Sequence, residues 1–175
     1  MAEFETSKLI RHVWSDLFDL VLDVPRYPEF VPHCRAVRLL SRKTHEPDLT
    51  VIVSRMTVGF AALEVSYANR TTADPTSRRI SVDALDGPLR HLHALWRFEP
   101  RDDNRTELHF AVDYAFSNPL LAALASRLFA AMFGEIVNAF ERRADRLYGD
   151  KAAPRHRREG EEPPPAAGQR RLTTS

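Results

Sequence analysis

The stretch PLLAALASRLFAAMFGEIVNAFERRADRLY, Pro119 to Tyr148, decides how the rest of the chain must be arranged. Leu121, Leu124, Leu128, Met132, Ile136, Phe140, Ala144 and Leu147 recur at steps of three or four, which puts them on one face of an α-helix. Pro119 suits a first turn, where its missing N–H has no intrahelical partner. Asn118 or Ser117 offers a cap, and Gly149 fits the position just past the end. At 1.5 Å per residue such a helix spans roughly 45 Å, more than a single partner helix covers. Almost everything upstream reads as strand, so the natural partner is a sheet.

From Cys34 to Phe116 the apolar period falls to two, the signature of half-buried strands. The alternating sets are Val37 and Leu39; Ile52, Met56, Val58 and Phe60, with Val53, Arg55 and Thr57 opposite; Leu63, Val65 and Tyr67; Ile80, Val82 and Ala84; Leu92, Ala94, Trp96 and Phe98; and Leu108, Phe110, Val112, Tyr114 and Phe116. Turn chemistry separates them, as HEPD at His45, ADPTS at Ala73, DGP at Asp86 and PRDDN at Pro100. Short links of this kind make the pairing antiparallel. Ahead of them, Phe4 to Arg11 reads as a first strand and Ser15 to Val24 as a short helix. Pro25, Pro28 and Pro32 then constrain an elbow that permits one or two helical turns around Tyr27 to Val31. The expected class is α+β: a curved antiparallel sheet of about seven strands wrapped around the long C-terminal helix, with two short helices after the first strand.

A 43% hydrophobic content over 175 residues suits one domain with a real core. That domain is expected over residues 1–149. Residues 150–175, DKAAPRHRREGEEPPPAAGQRRLTTS, are rich in proline and charge and read as a disordered tail. The tail carries six cations against four anions, a net +2 out of the chain's +1, so the body sits at −1. A body so nearly neutral gives no electrostatic reason for DNA binding, which rests on clustered cations. The single cysteine, Cys34, has no disulfide partner and no CxxC mate for zinc, which fits a reducing cytoplasm. The N-terminus lacks the apolar run of a signal peptide and carries early glutamates against a transit peptide. The longest apolar run, Pro119 to Phe133, is interrupted by Ser126 and Arg127 and falls short of the roughly 18 residues of a membrane span.

Three stretches, DVPRYPEFVPHC at Asp23, LDGPLRHLHALWRFEP at Leu85, and VDYAFSNPLL with AFERRADRLYG towards the end, resemble the coenzyme Q-binding branch of the START-like superfamily, also described as polyketide cyclase-like. The resemblance spans Phe4 to Gly149. It implies the helix-grip fold, with an elongated apolar cavity between sheet and helix, and a non-catalytic role: binding ubiquinone and supporting its delivery to, or use by, the respiratory chain. The same branch includes ribosome association toxins, said to act on the large ribosomal subunit, and fold alone does not separate the two. One departure is visible. The family often shows Pro-Trp-Cys at the end of the elbow, where this chain has Pro32-His33-Cys34.

A quinone needs a long apolar slot for its tail and a few donors for its head-group oxygens. Tyr67, Trp96 and Tyr114 share the register of the core faces and are the candidates for the ring. Met56, Leu108 and Phe110 from the sheet, with Leu124, Leu128, Met132 and Ile136 from the helix, are the candidates for the tail, which is expected along Leu120 to Phe133. Each of these has an alternative reading as plain core. Tyr27, Phe30 and Val31 of the elbow are either an exposed lid at the cavity mouth, in contact with the inner membrane, or a packed cover over one end of the helix. Arg35, Arg38, Arg42 and Lys43 are the candidates for ribosome contact. His91 and His93 form an HxH with no third ligand marked, so no metal is expected, and Cys34 reads as buried and inert. No nucleophile elbow, phosphate loop or dinucleotide fingerprint occurs, and the inward faces carry no carboxylate or histidine, so no enzymatic activity and no required cofactor are expected.

Overall fold

The computed structural model describes residues 2–149; the tail expected over 150–175 lies outside the described residues. The order is β1 (Ala2–Ile10), α1 (Trp14–Leu22), a 3₁₀ turn (Val24–Glu29), β2 (Cys34–His45), β3 (Leu49–Phe60), β4 (Leu63–Asp74), β5 (Arg79–Ala84), β6 (Leu89–Asp102), β7 (Arg105–Phe116) and α2 (Pro119–Tyr148). The strands form one 7-stranded sheet in the order β1-β7-β6-β5-β4-β3-β2, antiparallel at every pairing. This is the helix-grip, START-like arrangement expected from the sequence. The proline elbow allows a 3₁₀ turn because Pro25 stands at its start, where no N–H is needed.

Helix α2 is closed as its sequence suggests. The Asn118 side chain accepts from the backbone N–H of Leu120 at 2.8 Å and of Leu121 at 3.4 Å, and Gly149 takes φ +70 beyond the last turn. Its buried stripe runs through Ala125, Leu128, Phe129, Met132, Phe133, Ile136, Val137, Phe140 and Ala144. By length and composition alone α2 would cross a membrane, with a mean hydropathy of 1.7 over an 18-residue window that is 39% buried in the domain. The sequence reading ends the apolar run at Phe133 and counts Ser126 and Arg127 as interruptions; both sit on the exposed side and leave the buried stripe unbroken.

Three contacts tie α2 to the β1 edge. Lys8 donates to Asn138 Oδ1 at 2.9 Å and pairs with Glu141. His12, 1% exposed, sets its Nε2 2.7 Å from Asp145 Oδ1. The Thr106 hydroxyl of β7 donates to the His12 carbonyl at 2.8 Å and so anchors the backbone that carries this imidazole. The packing of α2 is concentrated on β1, β7 and α1, so the helix is held towards one edge and β2, at the other edge, runs out beyond its cover. Leu39 stands 45% exposed there for that reason, and Phe60 stands 60% exposed at the tip of the β3–β4 hairpin; alternation had assigned both to the covered face.

Candidate functional site

Where α2 leans away from β3–β5, the 3₁₀ turn closes the gap, and a cavity of about 60 Å³ remains. Its walls are Val24, Tyr27 and Val31 from the turn, Met132, Phe133 and Ile136 from α2, and Met56, Tyr67, Asn69, Thr71, Val82, Leu92, Ala94, Trp96 and Phe110 from the sheet. No charged residue and no histidine is among them. Pockets that hold drug-sized ligands run to about 300–1,000 Å³, so this one admits a few waters as it stands, and a ring-sized ligand would fit only with its walls moved apart. Met56 and Met132 are the pliable parts of that wall, since an unbranched thioether side chain repacks readily.

Of the residues chosen from sequence for the ring, Tyr67 and Trp96 reach the cavity and Tyr114 does not. Tyr114 packs instead against Phe116, Phe129 and Phe133, with ring centroids 6.0, 5.3 and 5.5 Å away. Of the tail candidates, Met56, Phe110, Met132 and Ile136 line the cavity; Leu108 and Leu128 are buried beside it; and Leu124 is 59% exposed. The space expected for a tail along Leu120 to Phe133 is filled by the aromatic cluster around Phe129. Helical spacing put Leu124 on the stripe of Leu128, but at the helix start the packed stripe runs through Leu121 and Ala125, and Leu124 stands off its edge.

The elbow is the packed cover and not the exposed lid. Tyr27 and Val31 are 9% and 6% exposed. The Tyr27 hydroxyl donates to the Val21 carbonyl at 2.5 Å, and Phe30 packs edge-on against Phe140 at 5.0 Å with the Arg143 guanidinium 5.2 Å from its ring. Burial pushes the phenols of Tyr27 and Tyr67 well above the usual range, so both stay neutral. The Tyr67 hydroxyl has only a weak acceptor, the Met56 sulfur at 3.5 Å.

The sequence reading missed a polar pole in this apolar site. Ser54 donates to Asn69 Oδ1 at 3.0 Å; Ser54 is 0%, Asn69 1% and Thr71 2% exposed, and Asn69 and Thr71 line the cavity. Asn69 Nδ2 has no protein partner. Strand alternation already held the signal, because Ser54 has the parity of Ile52 and Met56, and Asn69 and Thr71 that of Tyr67. Counting only apolar residues hid it.

The two histidines of the HxH point to the outer face and separate, His91 Nε2 lying 2.9 Å from Asp113 Oδ1 and His93 Nδ1 2.7 Å from Asp83 Oδ1. The one trio with metal-compatible spacing among the described residues is Glu99, Glu107 and His109, whose ligand atoms lie within 4.8 Å of one another. Arg101 pairs with both Glu99 and Glu107, so a cation already occupies their carboxylates. Cys34 is 7% exposed and burial raises its thiol pKa to about 11, which leaves it a thiol at neutral pH.

The basic residues of β2 do not share one face. Arg38 stands opposite Arg55 on the outer side and Lys43 opposite Val51, whereas Arg42 stands opposite the buried Ile52 on the inner side, and its charge acts on Asp19 of α1. Arg35 turns to the β3–β4 hairpin, donating to the Ala61 carbonyl at 2.9 Å. That same end of the molecule gathers exposed apolar side chains. It carries Phe60, Leu85 of the β5–β6 loop, and Leu120 and Leu124 of α2, and the Ser117 N–H donates to the Pro88 carbonyl at 2.9 Å to hold the helix start beside that loop.

A sheet that grips a long helix over an apolar pocket defines a START-like domain. The chain belongs to the family described as polyketide cyclase/dehydrase and lipid transport, which matches residues 11–141. Among its relatives is the ribosome association toxin RatA of Rickettsia prowazekii, 30% identical over 147 residues, covering 82% of this chain and 97% of the relative. Another is the mitochondrial coenzyme Q-binding protein COQ10 homolog B of Xenopus laevis, 31% identical over 156 residues, covering 87% of this chain and 62% of the relative. A START superfamily protein from Mycobacterium smegmatis has the same fold, with a TM-score of 0.68 at 15% identity over 83% of this chain and 98% of that one.

Proposed function

We propose that this domain binds ubiquinone or a similar isoprenoid lipid, without catalysis, as a chaperone or carrier supporting respiratory electron transport. The observation that carries the reading is the cavity: apolar walls with Trp96 and Tyr67 at one side, pliable methionines, and no acid, base or histidine among the lining residues. Cyclase or dehydrase chemistry needs a positioned proton donor or acceptor, and two neutral phenols and an amide supply little of that. The COQ10 relative supports the ligand class. On this reading the protein works in the cytoplasm, peripheral to the inner membrane, and the exposed apolar end at Phe60, Leu85, Leu120 and Leu124 is the part that meets the bilayer.

A second reading, binding to the large ribosomal subunit and inhibition of translation initiation, is favoured by the RatA relative and by the outward cations Arg38, Lys43, Arg55 and Arg70, which stand on neighbouring strands with Arg38 opposite Arg55. Titration of the purified protein with a short-chain ubiquinone, followed by tryptophan quenching, tests the first reading. Saturable quenching with about one site per chain is expected. No binding, together with co-sedimentation of the protein with the large subunit and loss of subunit joining, would replace the first reading with the second.

A further inference from the structure

We infer that the cavity selects a neutral lipid bearing a carbonyl oxygen, and that Asn69 is the donor that recognises it; this rests on the lipid-binding reading above. The Ser54 hydroxyl donates to Asn69 Oδ1 at 3.0 Å. That bond uses the acceptor end of the amide, and Ser54 is 0% exposed. The donor end, Nδ2, is then buried on a residue of the cavity wall with no protein partner. Buried amide donors are almost always paired, since leaving one unmade forfeits its hydration with no return. The few waters the cavity admits can serve Nδ2 while it is unliganded, and a ligand that expels them must replace that bond.

This requirement sorts ligand classes. A pure hydrocarbon would strip Nδ2 of its partner. A carboxylate or phosphate would enter a pocket lined by no lysine, arginine or histidine and lose its hydration without a counter-charge. A neutral carbonyl accepts from Nδ2 and brings no charge. Trp96 and Phe110, with ring centroids 4.4 Å apart, stand on the same wall and offer a planar ring a face to lie against.

The test compares two probes by calorimetry: a short-chain ubiquinone, and the alkylbenzene with the same ring substituents and tail but no carbonyls. Wild-type protein should prefer the quinone by about ten- to a hundredfold, the discrimination expected when a buried donor is left unpaired. Asn69→Leu should abolish that preference, lowering quinone affinity and raising alkylbenzene affinity until the two probes bind alike. On wild-type protein alone, infrared difference spectra of carbonyl-¹³C-labelled quinone should show one C=O stretch moved to lower frequency on binding. Equal affinity for the two probes, an unshifted carbonyl, or an Asn69→Leu variant that keeps the preference would overturn the role of Asn69 and leave lipid binding standing. Failure of wild-type protein to bind either probe would remove the lipid-binding reading and this inference together.

Discussion

Asp86 shows how single residues hold the rim of the site. Its carboxylate accepts the backbone N–H of Ala68 at 2.7 Å and the Arg55 guanidinium at 2.6 Å, and these bonds hold its pKa below the usual carboxylate range, the backbone bond foremost. The next residue, Gly87, sits at φ +94, and a Cβ there would come within 2.8 Å of Tyr67 Cβ; the Asp-Gly pair thus positions a cavity residue. Because the folded pKa of Asp86 is depressed, its contribution is present above the unfolded value of about 3.9 and fades as pH falls through the lower folded value. Unfolding by urea across pH 2 to 7 should therefore show wild-type stability falling more steeply below about pH 4 than that of Asp86→Asn, with the variant less stable at neutrality. Parallel curves would mean that Asp86 is not the titrating group.

At the scale of elements, the elbow depends on one ring of α2. Phe140 packs against Tyr27, Phe30 and Trp96, with centroids 5.4, 5.0 and 5.0 Å away, so it joins helix, turn and sheet beside the cavity. Phe140→Ala should cost about 3–5 kcal/mol in urea unfolding and free the elbow, seen as faster amide exchange at Val31 and Cys34. A loss below about 1 kcal/mol would show that the cover is held elsewhere.

The elements themselves were legible because their periods are clean: steps of three and four in α2, alternation from β3 to β7, proline and glycine at the breaks. What the sequence did not disclose is how far the helix covers the sheet. Leu124 and Leu39 carry the right spacing yet stand beyond the contact, since amphipathic period names a face and not its partner. Tyr114 was chosen with Tyr67 and Trp96 on parity, but parity does not measure distance along the strand, and Phe129 fills the space before it. Asn69 and Ser54 share the alternation of the covered faces, but a pattern defined by apolar residues does not include them.

For the whole molecule, the aromatic cluster of Tyr67, Tyr114, Phe116, Phe129 and Phe133 and the elbow around Tyr27 bracket the cavity from its two ends, while apolar side chains collect on the end where α2 begins.

The most direct measurement is solvent extraction of the protein purified from its own host, followed by mass spectrometry of what it carries. The account predicts an isoprenoid quinone enriched over the bulk membrane lipids and approaching one per chain. Protein that carries no quinone or other isoprenoid lipid, and migrates with the large ribosomal subunit, would contradict it.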